Sequence, residues 1–145
     1  EIVKKEYLEE KGVFVTLNQQ NQLRGCIGNI LPNDTVFESI IKNSKSAAFS
    51  DPRFEKLTKE ELNNIEIEIS ILSKPKECKL EDIKKEDGVI LSKGFNSAVY
   101  LPQVWEQLPN KQEFLESLCL KAGLEEDCYN NEKTNFEKFN VESIE

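Results

Sequence analysis

Residues 23–28, Leu-Arg-Gly-Cys-Ile-Gly, hold a guanidinium, a thiol and two glycines within six positions. Strand alternation puts Arg24, Cys26 and Gly28 on one face. A guanidinium beside a thiol favours the thiolate, which is the nucleophilic form. Gly28 leaves room where a ligand or another backbone can approach, and with Gly25 it would form a floor around Cys26. The competing reading is a small buried cysteine, with the glycines permitting a bulge or tight packing.

Arginine usage sharpens the question. Of the 19 basic residues, 17 are lysine, and the only arginines are Arg24 and Arg53. A chain so biased can use lysine wherever a surface charge suffices. Both arginines fall in compact motifs, LRGC and Asp51-Pro52-Arg53-Phe54. Planar two-pronged pairing with a carboxylate or phosphate is what lysine cannot imitate. Each arginine therefore either binds an anionic group or braces the fold. Arg53 could brace through Asp51, and Arg24 through Glu68 on a neighbouring strand.

The chain has no histidine, so a Cys-His dyad or Ser-His-Asp triad within it is excluded. A cysteine mechanism would need a carboxylate such as Glu68 as base, or a thiolate favoured by Arg24 alone. The alternation of Glu66 and Glu68 is equally that of a solvated strand face. Cys26, Cys78, Cys119 and Cys128 form no C-x-x-C pair, so the spacing predicts no metal site. With no secretion signal, free thiols in a reducing cytosol are expected for Cys78, Cys119 and Cys128. A net charge of −8 argues against nucleic-acid binding. No run of apolar residues is long enough to span a membrane. The 145 residues suit one domain, and a chain without Met implies a trimmed N-terminus.

The elements that must position these groups follow from pattern. Residues 1–11 read as the end of a helix. Gly12–Leu17 and Leu23–Ile30 read as a hairpin around the polar run 18–22. A helix capped at Asn33-Asp34 would carry Val36, Phe37, Ile40, Ile41, Ser44, Ala47 and Ala48 on one face. Thr58 and Glu61 have capping-box spacing, and the isoleucines of 65–71 alternate as a strand. Residues 74–87 are charged and irregular or partly helical. Gly88–Lys93 and Asn96–Leu101 make a second hairpin around Gly94. Asn110 caps a helix that Gly123 stops, and a last strand lies within 134–141. The mixture, without strict β-α-β alternation, is α+β.

In order, GVFVTL (12–17), LRGCIG (23–28), AAFSDPRF (47–54), IEISIL (67–72), SAVYLPQVW (97–105) and EFLESLCLKAGL (113–124) resemble the AMMECR-one family. The likeness is to the branch called AmmeMemoRadiSam system protein A, over nearly the whole of residues 1–145. The resemblance implies a single α+β domain, mainly antiparallel sheet flanked by helices, with a smaller lobe and a cleft between lobes. It implies a candidate site at Arg24, Gly25, Cys26 and Gly28, and a shared pathway with Memo-like and radical-SAM proteins. No cofactor is implied. Two functions remain open: a cytoplasmic enzyme or enzyme-system subunit whose Cys26/Arg24 cleft binds an anionic small molecule, or a non-catalytic adaptor presenting the same LRGCIG surface.

Overall fold

Eight strands and three α-helices are formed in the computed structural model, which describes residues 4–144. The strands are β1 Gly12–Gln19, β2 Gln22–Asn29, β3 Ile65–Leu72, β4 Lys76–Cys78, β5 Gly88–Lys93, β6 Asn96–Tyr100, β7 Asn135–Phe139 and β8 Val141–Ile144. The helices are α1 Val36–Phe49, α2 Val104–Gln107 and α3 Lys111–Lys121. Two four-stranded sheets result, ordered β2-β1-β3-β8 and β4-β7-β5-β6. The fold is α+β. The chain divides into two compact units, one reaching to Lys74 and resuming at Glu142, the other Pro75–Val141.

In the first unit, β1 lies between β2 and β3 and pairs with both in antiparallel fashion. Val13, Val15 and Leu17 point inward with Ile71 and meet Val36 and Ala47 of α1. The hairpin turn is tighter than the polar run suggested. Gln20 and Asn21, both at positive φ, make a two-residue turn, so β1 extends to Gln19. That geometry matches the right-handed twist of the flanking strands. Residues 1–3 lie outside the described residues, and Lys5–Leu8 form one 3-10 turn where a helix end was expected.

Helix α1 corrects two expectations. Its N-cap is Thr35, whose hydroxyl accepts the Glu38 N–H at 3.2 Å, rather than Asn33-Asp34. Its buried residues are Val36, Ser39, Asn43 and Ala47, whereas Phe37 and Ile41 face solvent. The reason is close approach. Asn43 Nδ2 donates to the Val13 carbonyl and to Asn29 Oδ1, both at 2.9 Å. A Cβ on Gly25 would collide with the Ala47 carbonyl oxygen. Small and hydrogen-bonding residues let the helix backbone sit against β2, where bulky ones would hold it off.

After α1 the chain turns through Asp51–Phe54. The capping box then forms as its spacing requires: Glu61 N–H to Thr58 Oγ1 at 3.3 Å, and Thr58 N–H to Glu61 Oε1 at 3.0 Å. It opens a 3-10 turn, Glu61–Asn64, that leads into β3.

The second unit packs α2 and α3 with its sheet around Val89, Leu91, Trp105, Phe114, Leu115 and Leu118. The Trp105 and Phe114 rings stack with centroids 3.7 Å apart, and Trp105 Nε1 donates to the Asp87 carbonyl at 2.8 Å. Asn110 caps α3 by accepting the Glu113 N–H. Gly94 and Gly123 take the positive φ that their turns require. Within 74–87 the structure forms β4 and a 3-10 turn, Leu80–Asp82. The free-thiol expectation is corrected at two positions: Cys119 and Cys128 are joined in a disulfide, while Cys26 and Cys78 are free. Residues nine apart carry no sequence sign of pairing; helix α3 and the following turn bring them together.

Candidate functional site

Strand β2 lies at the margin of its sheet, bonded on one side only, to β1. Its ladder skips a position. Leu17 pairs with Gly25 and Asn18 with Leu23, so Arg24 is the extra residue of a bulge. Alternation is intact beyond the bulge, where Cys26 pairs with Thr16 and Gly28 with Phe14. On the far side of β1, Thr16 pairs with Glu68 and Phe14 with Ser70. Cys26, Thr16 and Glu68 thus form one row across three strands, on the face opposite Val13 and Val15.

Thr16 Oγ1 and Cys26 Sγ lie 3.3 Å apart. Glu68, one strand further, has no hydrogen bond to either. The room above Gly28 is filled, since a Cβ there would run into the Phe14 ring and the Val13 carbonyl. Ser70 is fully buried on this face, and its hydroxyl has no hydrogen-bond partner among the described residues.

The two arginines serve different neighbours. Arg24 turns to Glu61, 37 residues on, with Nε to Oε2 at 2.7 Å and Nη2 to Oε1 at 3.0 Å. This settles its partner as Glu61, not Glu68. The fork holds the Glu61 carboxyl down to about 2, helped by the Thr58 N–H, and raises Arg24 above its ordinary value. Glu61 therefore closes the capping box and anchors the bulge at once.

Arg53 stands at Cys26. Asp51, only 5% exposed, accepts Arg53 Nε at 3.1 Å and Nη2 at 2.8 Å. Its Oδ2 also accepts the Cys26 N–H at 3.0 Å, while Arg53 Nη2 reaches the Cys26 carbonyl at 3.4 Å. The carboxylate and guanidinium thus meet both outward backbone groups of Cys26, as a neighbouring strand would. The Arg53 fork, with the Cys26 and Arg53 N–H groups, holds the Asp51 carboxyl well below the usual carboxylate range. The Arg53 side chain is 56% exposed, so its remaining N–H donors face water. Phe54 lies beneath both cations, 5.3 Å from Arg53 and 6.0 Å from Arg24.

Glu61 is the residue that pattern reading missed as the partner of Arg24; Asp51 pairs with Arg53 as expected, and what the pattern did not show is its bond to the Cys26 N–H. The signal was present in the arginine bias, since a lone arginine in a lysine-rich chain calls for a carboxylate. Its partner's position is set by the fold.

Arg24→Lys is expected to lower the melting temperature by several degrees at pH 7, because a point charge cannot make the fork. Glu61 has a depressed carboxyl, so the brace holds above its unfolded value near 4.3 and is lost as pH falls toward 2. The variant and the parent should therefore converge in acid. Thermal melts at pH 7 and pH 2.5 test this, and an equal gap at both would refute it.

Among the described residues no group of three or more His, Cys, Asp or Glu is placed to hold a metal ion, and no helix is long and apolar enough to cross a membrane.

A family model described as AMMECR1 matches residues 2–144. Protein PF1979 of Pyrococcus furiosus is 41% identical over 157 residues, covering 97% of this chain and 73% of that one. A protein of Methanothermobacter thermautotrophicus is 34% identical, covering 94% and 76%. Among solved structures, the uncharacterized protein PH0010 of Pyrococcus horikoshii superposes with a TM-score of 0.90 at 38% identity, covering 97% of this chain and 75% of that one.

Proposed function

The chain belongs to the AMMECR1 family, and from that premise and the geometry of β2 we propose that it works through a thiol site at Cys26, as an enzyme or the subunit of an enzyme system in the cytoplasm. One observation carries the reading: Asp51 and Arg53 fix both outward backbone groups of Cys26. A cysteine that only filled space would not require its main chain to be clasped by a buried carboxylate and its arginine. The clasp aims the thiol onto the row shared with Thr16 and Glu68.

Arg53 replaces Arg24 as the group that orients an anionic ligand, because its free donors face outward while Arg24 is spent on Glu61. Gly25 lets the strand lie against α1, Gly28 makes room for the Phe14 ring on the face of Cys26, and Glu68 is the carboxylate within the row for proton transfer. The unpartnered Ser70 hydroxyl on that face is a group a bound ligand would satisfy. Memo-like and radical-SAM proteins are the proposed pathway partners.

Peptide-resolved labelling with iodoacetamide at pH 7 tests the reading. Cys78 is the internal standard, since burial pushes its thiol up and it is the other free cysteine. Cys26 is expected to alkylate several-fold faster. Labelling of Cys26 slower than Cys78 would sink the thiol site.

The adaptor reading has its own observation. Leu23 and Leu62 are 43% and 62% exposed beside the Arg24–Glu61 pair, an apolar margin suited to a protein partner. Co-purification with Memo-like and radical-SAM proteins that survives Cys26→Ser but not Leu62→Asp would favour it.

A further inference from the structure

The segment Gly123–Thr134 joins α3 to β7, which lies between β4 and β5 in the second sheet. Beyond its first two residues, its backbone hydrogen bonds run within itself. Cys128 N–H donates to the Glu125 carbonyl, Asn130 N–H to Asp127 and Asn131 N–H to Cys128, each at 3.0 Å. Thr134 returns its hydroxyl to the Cys128 carbonyl at 2.7 Å. These local turns shape the segment, and Leu124 and Tyr129 pack against the core that α3 helps to build. Gly123 N–H to the Leu120 carbonyl and Leu124 N–H to the Cys119 carbonyl tie its first residues to the helix. Halfway along, the fastening is covalent, from Cys128 to Cys119 on the buried face of α3.

A cavity of about 490 Å³ opens over this segment, with Cys128 in its wall beside Lys93, Leu124, Glu125, Asp127 and Asn130. Most of that wall is the strapped segment itself. Of the two sulfurs, Cys128 is the nearer to the cavity: it stands in the wall at 5% exposure, whereas Cys119 is fully buried.

We propose that Cys119–Cys128 is a redox-operated strap: closed when oxidised, it holds the segment and the cavity in shape, and reduction releases both. The co-reactant is a dithiol. One of its thiolates attacks Cys128 Sγ from the cavity, the S–S bond breaks, and Cys119 leaves as a thiolate that takes up a proton. The second thiol of the reductant then attacks its own sulfur in the mixed disulfide. Cys128 is freed as a thiol, and the reductant departs as a cyclic disulfide. Two electrons pass from the reductant to the protein. This device is separate from Cys26 and stands whether or not Cys26 is a thiol site.

Protein purified without reductant and then denatured should show two reactive thiols out of four, and all four after reduction. Endoproteinase Glu-C, acting on the folded protein, should cut after Glu125, Glu126 and Glu132 at least ten-fold faster in dithiothreitol. Cleavage at Glu106, Glu113 and Glu137 in the same unit should be unchanged. Cys128→Ser should be cut at the fast rate with or without reductant. If that variant does not fold, the wild-type series decides alone. Four reactive thiols without reductant would overturn the proposal. So would segment cleavage indifferent to reduction, or an increase spread evenly over Pro75–Val141, which would mark a staple for the whole unit.

Discussion

Asp51→Ala is expected to lower stability at pH 7 by about 3 kcal/mol, a large change from one residue outside the strands and helices. The substitution removes one acceptor that serves three donors: the Cys26 N–H, the Arg53 N–H and the Arg53 fork. Hydrogen bonds to a charged group contribute about 1.5–3 kcal/mol each, and a buried donor left without an acceptor adds its own desolvation cost. The half-exposed Arg53 can turn to water, which keeps the loss near the lower end of the roughly 3–5 kcal/mol seen on breaking buried pairs. The pH dependence gives an independent check. Asp51 has a depressed carboxyl in the folded state, with the Arg53 fork the largest cause. Its contribution is fully present above the unfolded value near 3.9 and fades as pH falls toward the folded one. The parent should lose stability steeply below about pH 4, whereas Asp51→Ala should show a flatter acid limb. Urea unfolding at pH 7, 5 and 3 measures both. A loss below about 0.5 kcal/mol at pH 7 would mean the clasp is ornamental.

Gly25→Ala is expected to cost about 3 kcal/mol, at the upper end of the usual range for overpacking. Gly25 is not among the positive-φ residues, so the matter is space rather than backbone conformation. Its missing Cβ is where the Ala47 carbonyl oxygen lies. Backbone meets backbone there, and no rotamer change relieves it. Helix α1 would have to lift from β2, loosening the Asn43 bonds to Val13 and Asn29. Gly28→Ala meets the Phe14 ring as well as the Val13 carbonyl. Its cost should be smaller, and Phe14→Leu should recover part of it; no second-site change of that kind should rescue Gly25→Ala. Thermal melts of the three variants and the double variant read this out. A Gly28→Ala protein as stable as the parent would show that the glycine is not there for packing.

Much of the fold was legible because local chemistry decided it. The isoleucines of β3 alternate without interruption, Thr58 and Glu61 sit three apart before an apolar run, and Gly94 and Gly123 stand where turns need them. What was hidden depends on distance. Phe37 and Ile41 look like core by hydropathy, yet α1 buries Ser39 and Asn43 beside Val36 and Ala47, because the helix backbone comes close to Gly25 and Asn43 finds a backbone acceptor on the sheet. The Arg24 partner lies 37 residues away, and the bulge that frees Arg24 from the ladder is a mismatch of two strands that neither strand shows alone. The motif around Cys26 was visible as a motif. That a loop's acid and base hold its main chain was not, since Asp51 reads locally as a turn residue before proline.

The same clasp governs how many molecules one sheet can join. Strand β2 is the sheet's outer margin, and at Cys26 the N–H and C=O that a foreign strand would grip are already occupied by side chains of the same molecule. Side chains cannot propagate a ladder, because they offer no further row of amides beyond themselves. The Asp51–Arg53 pair therefore ends the sheet as well as bracing it, and keeps an apolar, glycine-containing strand from recruiting copies of itself into a growing polymer.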